Sequence, residues 1–405
     1  MTGVVSPGVA GLQLRGVNFP DPLGVWIGED VNPDRIGEGT LIYSGCRISG
    51  EQTSIGPGSV LGREGPMTVI DCQLGRNVML HGGYAEGAVF LDGASMGSGA
   101  HVRPGTLIEE QAGGAHAVGL KQTVLFPFVT LGSLINFCDV LMAGGTSRKN
   151  HSEVGSSYIH FNFTPHQDKA TASLVGDVPR GVMLDREPIF LGGQGGLVGP
   201  ARIEYGTVVA AGSVLREDAL EPGRLVVPAS PSAGAREYEP GVLGRVARIF
   251  ENNLHYLGNL HALAAWYEVV RRRFFEGSVD QQACLEGARR QIQAMLKERR
   301  KRLNDWVGML PDSLERVRRS PTPRRDTSVR EHEVVLAAWP MVSERLQEGW
   351  AGGHEPDRDA LMTGLDRVGS EGYLGAVRGL DAEAKVAGTR WLQSMVDSIL
   401  EPWRH

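Results

Sequence analysis

The chain has 405 residues, of which 41% are hydrophobic and 22% are charged, values that are ordinary for a soluble globular protein. Of its 55 glycines, 40 lie in residues 1–240, where the net charge is −8, whereas residues 241–405 carry a net charge of +2. An acidic first part argues against general nucleic-acid affinity, which depends on neutralising phosphates. We therefore expect no nucleic-acid partner.

The four cysteines are scattered and form no CxxC pair, so they predict neither a zinc site nor a disulfide framework. Free thiols favour a reducing compartment. The N-terminal segment MTGVVSPGVAG lacks the pattern of a secretory signal, and no apolar run is long enough to span a membrane. These features predict a cytoplasmic protein without a membrane partner.

Residues 1–35 are rich in proline and glycine and are interpreted as an N-terminal arm or cap. From residue 36 to about residue 220, an aliphatic or aromatic residue recurs every six positions, with occasional insertions. This is a hexapeptide repeat, typical of a parallel β-helix, in which one strand and one turn take six residues and three such units close a triangular coil. The recurring residues are Ile36, Ile42, Ile48, Ile55, Leu61, Leu74, Leu80, Val118, Val124, Leu131, Phe137, Leu191, Leu197, Ile203, Val209 and Leu215.

The six-residue period fails between about residues 143 and 188. A coil could continue beneath this insertion with a loop extruded, because insertions in solenoids map to loops that often form the binding face. The stretch SSYIHFNFTPHQDKAT, at 156–171, gathers histidines, an asparagine and a lysine. We expect a functional loop here, although a merely polar surface loop is the alternative.

Residues 221–241 are interpreted as a linker and residues 242–405 as an α-helical domain. Apolar residues at three- and four-residue steps predict a helix from residue 242 to about 275 and a second from 280 to 310. Further helices are expected at 330–348 and 381–400, after a polar break at 320–328. The apolar stripe of the first helix could pack within this domain or join subunits.

Two sets of residues in the insertion are candidates for catalysis and for phosphate binding. His151 and His160 have a side chain that can accept a proton near neutral pH, so either could act as a general base. The segment GGTSRKN, at 144–150, offers glycine amides together with Arg148 and Lys149, which suits a phosphate group but also fits a solvated basic loop. No metal site is predicted, because the histidines do not follow a metal-binding spacing.

Residues 118–220 resemble the C-terminal half of the bacterial N-acetylglucosamine-1-phosphate uridylyltransferase/glucosamine-1-phosphate acetyltransferase family. The resemblance rests on FNFTPHQDKAT, at 161–171, and FLGGQGGLVGPARIEYGTVVAAGSVL, at 190–215. It implies a left-handed parallel β-helix, a homotrimer, and acetyl-CoA or another acyl-CoA as donor. A monomer in light scattering at micromolar concentration would contradict the trimer.

By the same resemblance, Asn162 and Phe163 lie where the family contacts donor and substrate, and Lys169 lies where a lysine binds a sugar phosphate. The coils of the second segment imply a CoA site at Gly192, Gly193, Ala210 and Ala211.

Two departures from the family matter. The uridylyltransferase domain has no counterpart in the sequence, so nucleotidyltransferase activity is doubtful. The family's general-base histidine aligns near Asn136 or Phe137, neither of which can act as a base, and we assign Asn136 to substrate binding. If the protein is catalytic, His151, His160 or Asp139 must therefore serve as the base. We therefore expect an acyltransferase acting on a sugar or nucleotide sugar. The alternative is a non-catalytic sugar-nucleotide binder or trimeric scaffold.

Overall fold

The computed structural model describes residues 5–230, 233–235, 238–319, 325–348, 353–369 and 372–404. Residues 26–226 of this chain form three sheets, A, B and C, whose strands are all parallel, and successive strands along the chain belong to A, then B, then C. A period of six leaves room for only two to four residues of strand before each corner. The predicted fold class, a parallel β-helix of hexapeptide repeats followed by an α-helical region, is confirmed.

Within each sheet, the strands lie side by side in the same order as they occur along the chain. Sheet A consists of Leu41–Ile42, Val60–Leu61, Met79–Leu80, Ser95–Met96, Gly113–Gly114, Thr130–Leu131, Glu153–Val154, Phe190–Leu191, Val208–Val209 and Leu225–Val226. Sheet B consists of Trp26–Ile27, Arg47–Ser49, Met67–Ile70, Gly83–Glu86, Ala100–Val102, Val118–Lys121, Ile135–Cys138, Ile159–Phe161, Gly196–Val198 and Val214–Leu215. Sheet C consists of Ser54–Ile55, Gln73–Leu74, Ala88–Phe90, Thr106–Ile108, Val124–Leu125, Val140–Met142, Ser173–Val175 and Arg202–Ile203.

The recurring residues of the hexads fill the interior of the β-helix. Every one of these sixteen residues is 4% exposed or less. Each stacks on the equivalent residue of the next coil, as Ile48 does beside Val69. Because a coil buries its apolar face only against its neighbours, the register propagates along the stack.

The β-helix continues beneath the predicted insertion, since strands at 153–154, 159–161 and 173–175 complete a coil there. Three segments extrude from this coil at its corners. They are an antiparallel hairpin of strands Gly145–Ser147 and Asn150–His151, a loop at 162–172, and a short helix at 178–181.

The helices, in chain order, are α1 Pro7–Leu14, α2 Val178–Gly181, α3 Val246–Val269, α4 Val279–Gly308, α5 Leu310–Arg319, α6 Arg325–Glu348, α7 Glu355–Val368, α8 Gly372–Gly379 and α9 Ala382–Arg404. The polar break expected at 320–328 lies partly outside the described residues, and residues 325–328 begin α6. Five helices, α1, α2, α5, α7 and α8, were not predicted. Neither was the first strand of sheet B, which begins at Trp26 within the expected arm.

The helical region packs against the outer face of sheet C. Helix α4 lies across strands 54–55, 73–74, 88–90 and 106–108, and α3 contacts strand 173–175. Gly287 of α4 packs so closely on this sheet that a side chain there would lie 2.1 Å from Oε1 of Gln73. This docking brings the middle of α4 to the corner where sheet B turns into sheet C.

Candidate functional site

At the corner between sheets B and C, one coil has a long loop where the two coils before it have a tight turn. In the two preceding coils the chain turns through one or two residues, and Gln122 and Asp139 take left-handed backbone conformations there, with φ of 52° and 60°. In the next coil, the loop 162–172 replaces this tight turn. The loop therefore extrudes directly beside the corner formed by Asp139.

A cavity of about 190 Å³ lies at this corner, between the outer face of sheet B, the loop and α4. We call it the corner cavity. Five of its residues were predicted from the sequence as site residues: Asn136, Asp139, Asn162, Phe163 and Lys169. The other residues that line it are Arg103, Lys121, Cys138, Glu298, Arg299 and Arg302.

The charges of the corner cavity are predominantly positive. Five cationic side chains face two carboxylates, a strong local excess in a chain whose overall charge is −6. The cations are Arg103, Lys121, Lys169, Arg299 and Arg302. Guanidinium and ammonium groups converging on a concave surface favour an anionic ligand, phosphate above all.

Arg299 is the most buried cation of the corner cavity, at 4% exposure. Its Nη2 lies 3.1 Å from Oδ1 of Asp139, and its Nη1 donates a hydrogen bond to the carbonyl oxygen of Lys169 at 3.3 Å. Its Nε is buried and has no partner among the described residues. Since α4 supplies Arg299, the helical region completes a site that begins on the β-helix.

Asp139 connects the three parts of the site. Its side chain is 7% exposed, and its Oδ2 accepts a hydrogen bond from Nδ2 of Asn162 at 2.7 Å. The other carboxylate oxygen faces Arg299. Asp139 thus holds the loop and α4 in position, and both of its oxygens are engaged.

A second series of hydrogen-bonded side chains lies along the cavity. Nη2 of Arg103 donates to Sγ of Cys138 at 3.4 Å, and Cys138 donates to Oδ1 of Asn136 at 3.2 Å. Burial raises the pKa of the Cys138 thiol, and the nearby Arg103 opposes this only partly. Cys138 is therefore a neutral hydrogen-bonding group at neutral pH.

His160 points into the interior of the β-helix, not into the cavity. It is 1% exposed, its Nδ1 donates to the carbonyl oxygen of Cys138 at 2.6 Å, and its Nε2 lies 2.9 Å from Oγ of Ser173. Burial lowers its pKa to about 4. Both ring nitrogens are hydrogen-bonded to groups inside the β-helix, so His160 is a core residue.

The other predicted residues of the insertion lie at a different corner. His151, Arg148 and Lys149 belong to the hairpin, which connects sheet C to sheet A. Nη1 of Arg148 donates to the carbonyl oxygens of Gln111 and Phe128, at 2.9 and 3.0 Å, and thereby fastens the hairpin to earlier coils. The structure does not bring these residues to the corner cavity.

The four residues predicted for a CoA site lie at the third corner, between sheets A and B. Gly192 and Gly193 follow strand 190–191, and Ala210 and Ala211 follow strand 208–209. A Cβ on Gly192 would lie 2.3 Å from the backbone nitrogen of Ala211. The close stacking of two coils therefore accounts for this glycine without a ligand.

Six residues of the corner cavity were missed by sequence reasoning. Arg103 and Lys121 had a detectable signal, because they lie three hexads apart and so occupy equivalent places on sheet B. The run KERRKR at 297–302 is also visible as a basic cluster. Nothing in the sequence indicates that α4 would bring this cluster to Asp139.

Within the described ranges, no group of three or more His, Cys, Asp or Glu side chains is arranged to hold a metal ion. No helix of this part of the chain is long and apolar enough to cross a membrane.

Comparison with known proteins gives partial matches. No family model matches the chain. The bifunctional protein GlmU of Thermotoga maritima is 28% identical over 208 residues, which cover 51% of this chain and 41% of that protein. GlmU of Mycobacterium tuberculosis is 29% identical over 223 residues, covering 55% of this chain and 40% of that protein. The chain thus spans about two-fifths of the length of the curated relatives it matches.

Among solved structures, a UDP-N-acetylglucosamine acyltransferase from Campylobacter jejuni covers 50% of this chain and 67% of its own, at 14% identity. Its TM-score of 0.17 is too low to support an argument about function. The repeat pattern, the β-helix and the GlmU relatives agree with one another. The chain is a hexapeptide-repeat protein similar over about half its length to bifunctional GlmU proteins.

Proposed function

We propose that the corner cavity binds the phosphate of a sugar phosphate or nucleotide sugar, and that the protein is an acyltransferase for such a substrate with an acyl-CoA donor. The observation that carries the proposal is the set of five cations around Asn162 and Asp139, with the buried Arg299 at its centre. The resemblance to the glucosamine-1-phosphate acetyltransferase family supplies the substrate class and the donor.

The arrangement of the cavity suits a phosphorylated sugar. Lys169 lies on the loop and Arg302 on α4, while Arg103 directly follows one strand of sheet B and Lys121 ends the next. A phosphate between these cations would be contacted from several sides. The side chain of Phe163 is 66% exposed at the rim and offers an apolar surface to a sugar ring. A cavity of about 190 Å³ accommodates only a small part of a ligand. A nucleotide would have to extend outside it, along sheet B.

Acyl transfer to an amine or hydroxyl also needs a group that removes a proton from the acceptor. Of the three predicted candidates, only Asp139 lines the cavity. For Asp139 to act as base, a bound phosphate would have to draw Arg299 away from it. A carboxylate base of this kind contributes roughly 10²–10⁴-fold to the rate.

Both carboxylate oxygens of Asp139 are already engaged, one by Asn162 and the other by Arg299. This favours a second candidate function, that of a non-catalytic sugar-nucleotide binder or trimeric scaffold. In that case Asp139 acts as a positioning residue for Asn162 and Arg299. The homotrimer and the CoA site at Gly192, Gly193, Ala210 and Ala211 remain proposals under either function.

Binding is tested by thermal shift with glucosamine-1-phosphate, UDP-N-acetylglucosamine and acetyl-CoA, singly and in pairs. A ligand at a hundred times its dissociation constant stabilises the protein by about 2.7 kcal/mol. Lys169→Ala should weaken binding of the phosphorylated ligand about tenfold, because a charge-assisted hydrogen bond is lost. Lys149→Ala is the matched control, since it removes a lysine from the hairpin at another corner and should change nothing.

The two functions are then separated by release of free CoA thiol when donor and acceptor are mixed. Thiol release that disappears in Asp139→Asn supports acyl transfer. Binding of the sugar ligand without thiol release supports the binder. If none of the phosphorylated ligands stabilises the protein, the corner cavity is not a substrate site and the proposal is wrong.

A further inference from the structure

The helical region contains a second concave surface, on a different face of α4 from the one that lines the corner cavity. Two adjacent cavities, of about 640 and 290 Å³, lie between α3, α4 and α6 and share the side chains of Lys297, Arg300 and Gln347. We call them together the interhelical groove. Their volumes match those of sites for small organic ligands.

One helical segment of α4 serves both sites. Residues 298, 299 and 302 face the corner cavity, whereas 297, 300, 301 and 304 face the groove. The second set follows the i, i+3, i+4, i+7 spacing of a single helix face. The basic run KERRKR therefore divides its cations between two separate surfaces.

The charge of the groove is positive. Lys297, Arg300 and Lys301 line it, and Glu268 is the carboxylate on its wall. Lys301 is paired with Asp305 at 3.0 Å, and Nη1 of Arg300 donates to the carbonyl oxygen of Leu346. Lys297 is exposed and has no carboxylate within ion-pair distance among the described residues. Its ammonium group is thus available to an anion.

A buried polar group also lies in the wall. His261 is 7% exposed, and its Nε2 is buried without a hydrogen-bond partner in the described part of the chain. Burial lowers the pKa of this imidazole to about 4, so it is a neutral ring able to donate or accept a hydrogen bond. An unpartnered buried polar atom costs free energy, and His261 is one of the residues that line the larger of the two cavities.

The other end of the groove is apolar and aromatic. Trp339 and Leu346 line the smaller cavity beside Lys297 and Arg300. Trp339 is held in place by an edge-on contact with Phe250, at 6.2 Å between ring centroids. A cationic centre flanked by a fixed indole suits a molecule that joins a phosphate group to a planar ring.

We propose that the interhelical groove is a second ligand site, which binds a phosphorylated molecule with a planar ring, of the nucleotide class. The phosphates lie against Lys297 and Arg300, where the two cavities meet, and the ring lies against Trp339. The site is separate from the corner cavity and does not depend on the function proposed for it.

The test is lysine acetylation with an N-hydroxysuccinimide ester, followed by mass spectrometry, on the full chain with UDP, inorganic pyrophosphate or uridine. Because modification is read residue by residue, Lys297 and Lys301 report on the groove while Lys121 and Lys169 report on the corner cavity. UDP at ten times its dissociation constant should slow modification of Lys297 about tenfold. Uridine alone should protect it weakly or not at all.

The matched variants are Lys297→Ala and Arg290→Ala, since Arg290 is exposed on α4 and lines neither cavity. In Lys297→Ala, protection of Lys301 should require about tenfold more UDP, and in Arg290→Ala it should be unchanged. Unaltered reactivity of Lys297 in UDP, with or without protection of Lys169, would overturn the groove as a site. Protection by pyrophosphate equal to that by UDP would overturn the role of Trp339.

Discussion

Two extrusions of the β-helix, the loop 162–172 and the hairpin 145–151, leave the same coil at different corners and have different surroundings. The loop lies beside α4 and encloses the corner cavity with it. The hairpin lies on earlier coils, where Arg148 donates hydrogen bonds to backbone carbonyls. Both are polar and close in sequence, and of the two only the loop lines the corner cavity.

The difference shows that residue type does not by itself make a binding site. GGTSRKN offers amides, hydroxyls and two cations, yet its arginine satisfies carbonyl groups at the corners of the β-helix. The cations of the corner cavity come instead from a corner residue, a strand, a loop and a helix that are separated by up to 199 residues along the chain. A concave site requires two layers, and the docking of α4 on sheet C supplies the second layer at one corner.

The largest effect is expected at the contact between those layers. Arg299→Met leaves Asp139 buried without its cation, and breaking such a pair costs about 3–5 kcal/mol. Urea denaturation measures the loss. The double variant Arg299→Met/Asp139→Asn removes both charges, so it should be more stable than the single variant while still failing to bind a sugar phosphate. A single variant within about 1 kcal/mol of the parent protein would show that the pair does not join the layers.

The next largest effect is expected in the pH dependence of the unfolding free energy, to which His160 contributes. Its pKa is lowered to about 4 in the folded protein, below the usual value near 6.5, so between these values the unfolded chain binds more protons. Its contribution to stability is therefore complete above pH 6.5 and is lost as the pH falls towards 4, by roughly 3 kcal/mol in total. Unfolding in urea at pH 7, 6 and 5 measures the slope, to which the half-buried His255 and the buried His261 also contribute.

His160→Gln should reduce that slope and lower stability at pH 7 by about 1–3 kcal/mol, since hydrogen bonds to Cys138 and Ser173 are disturbed. Any acyl transfer measured at pH 7 should be retained in the folded variant. A loss of roughly 10²–10⁴-fold in turnover at unchanged stability would instead identify His160 as the general base.

The smallest effect is expected at the hairpin. Arg148→Ala removes hydrogen bonds at a partly solvated corner and should cost about 1 kcal/mol in unfolding free energy. Affinity for a sugar phosphate should not change, because the hairpin and the corner cavity lie at different corners. A tenfold loss of affinity with normal stability would show that the hairpin belongs to the binding site after all.

Part of the candidate site could be predicted from the sequence, because Asn136, Asp139, Asn162, Phe163 and Lys169 do line one cavity. They lie on two successive coils, and the hexad register stacks successive coils on each other. His160 lies in the same stretch, but it was proposed as a general base from its residue type alone, without regard to its position in the strand. In the strand 159–161 the central residue points inward, and this alternation decides its burial.

The sequence by itself determined the β-helix, because a coil of three hexads can bury its inward residues only by stacking on its neighbours, and this requirement repeats every six residues. It also determined that a helical region follows. The tertiary structure decided where that region docks, and hence that Arg299 meets Asp139 and that Lys297 faces a different groove. These contacts depend on how a helix face fits a sheet. That fit is a property of packed surfaces and produces no repeating pattern in the sequence.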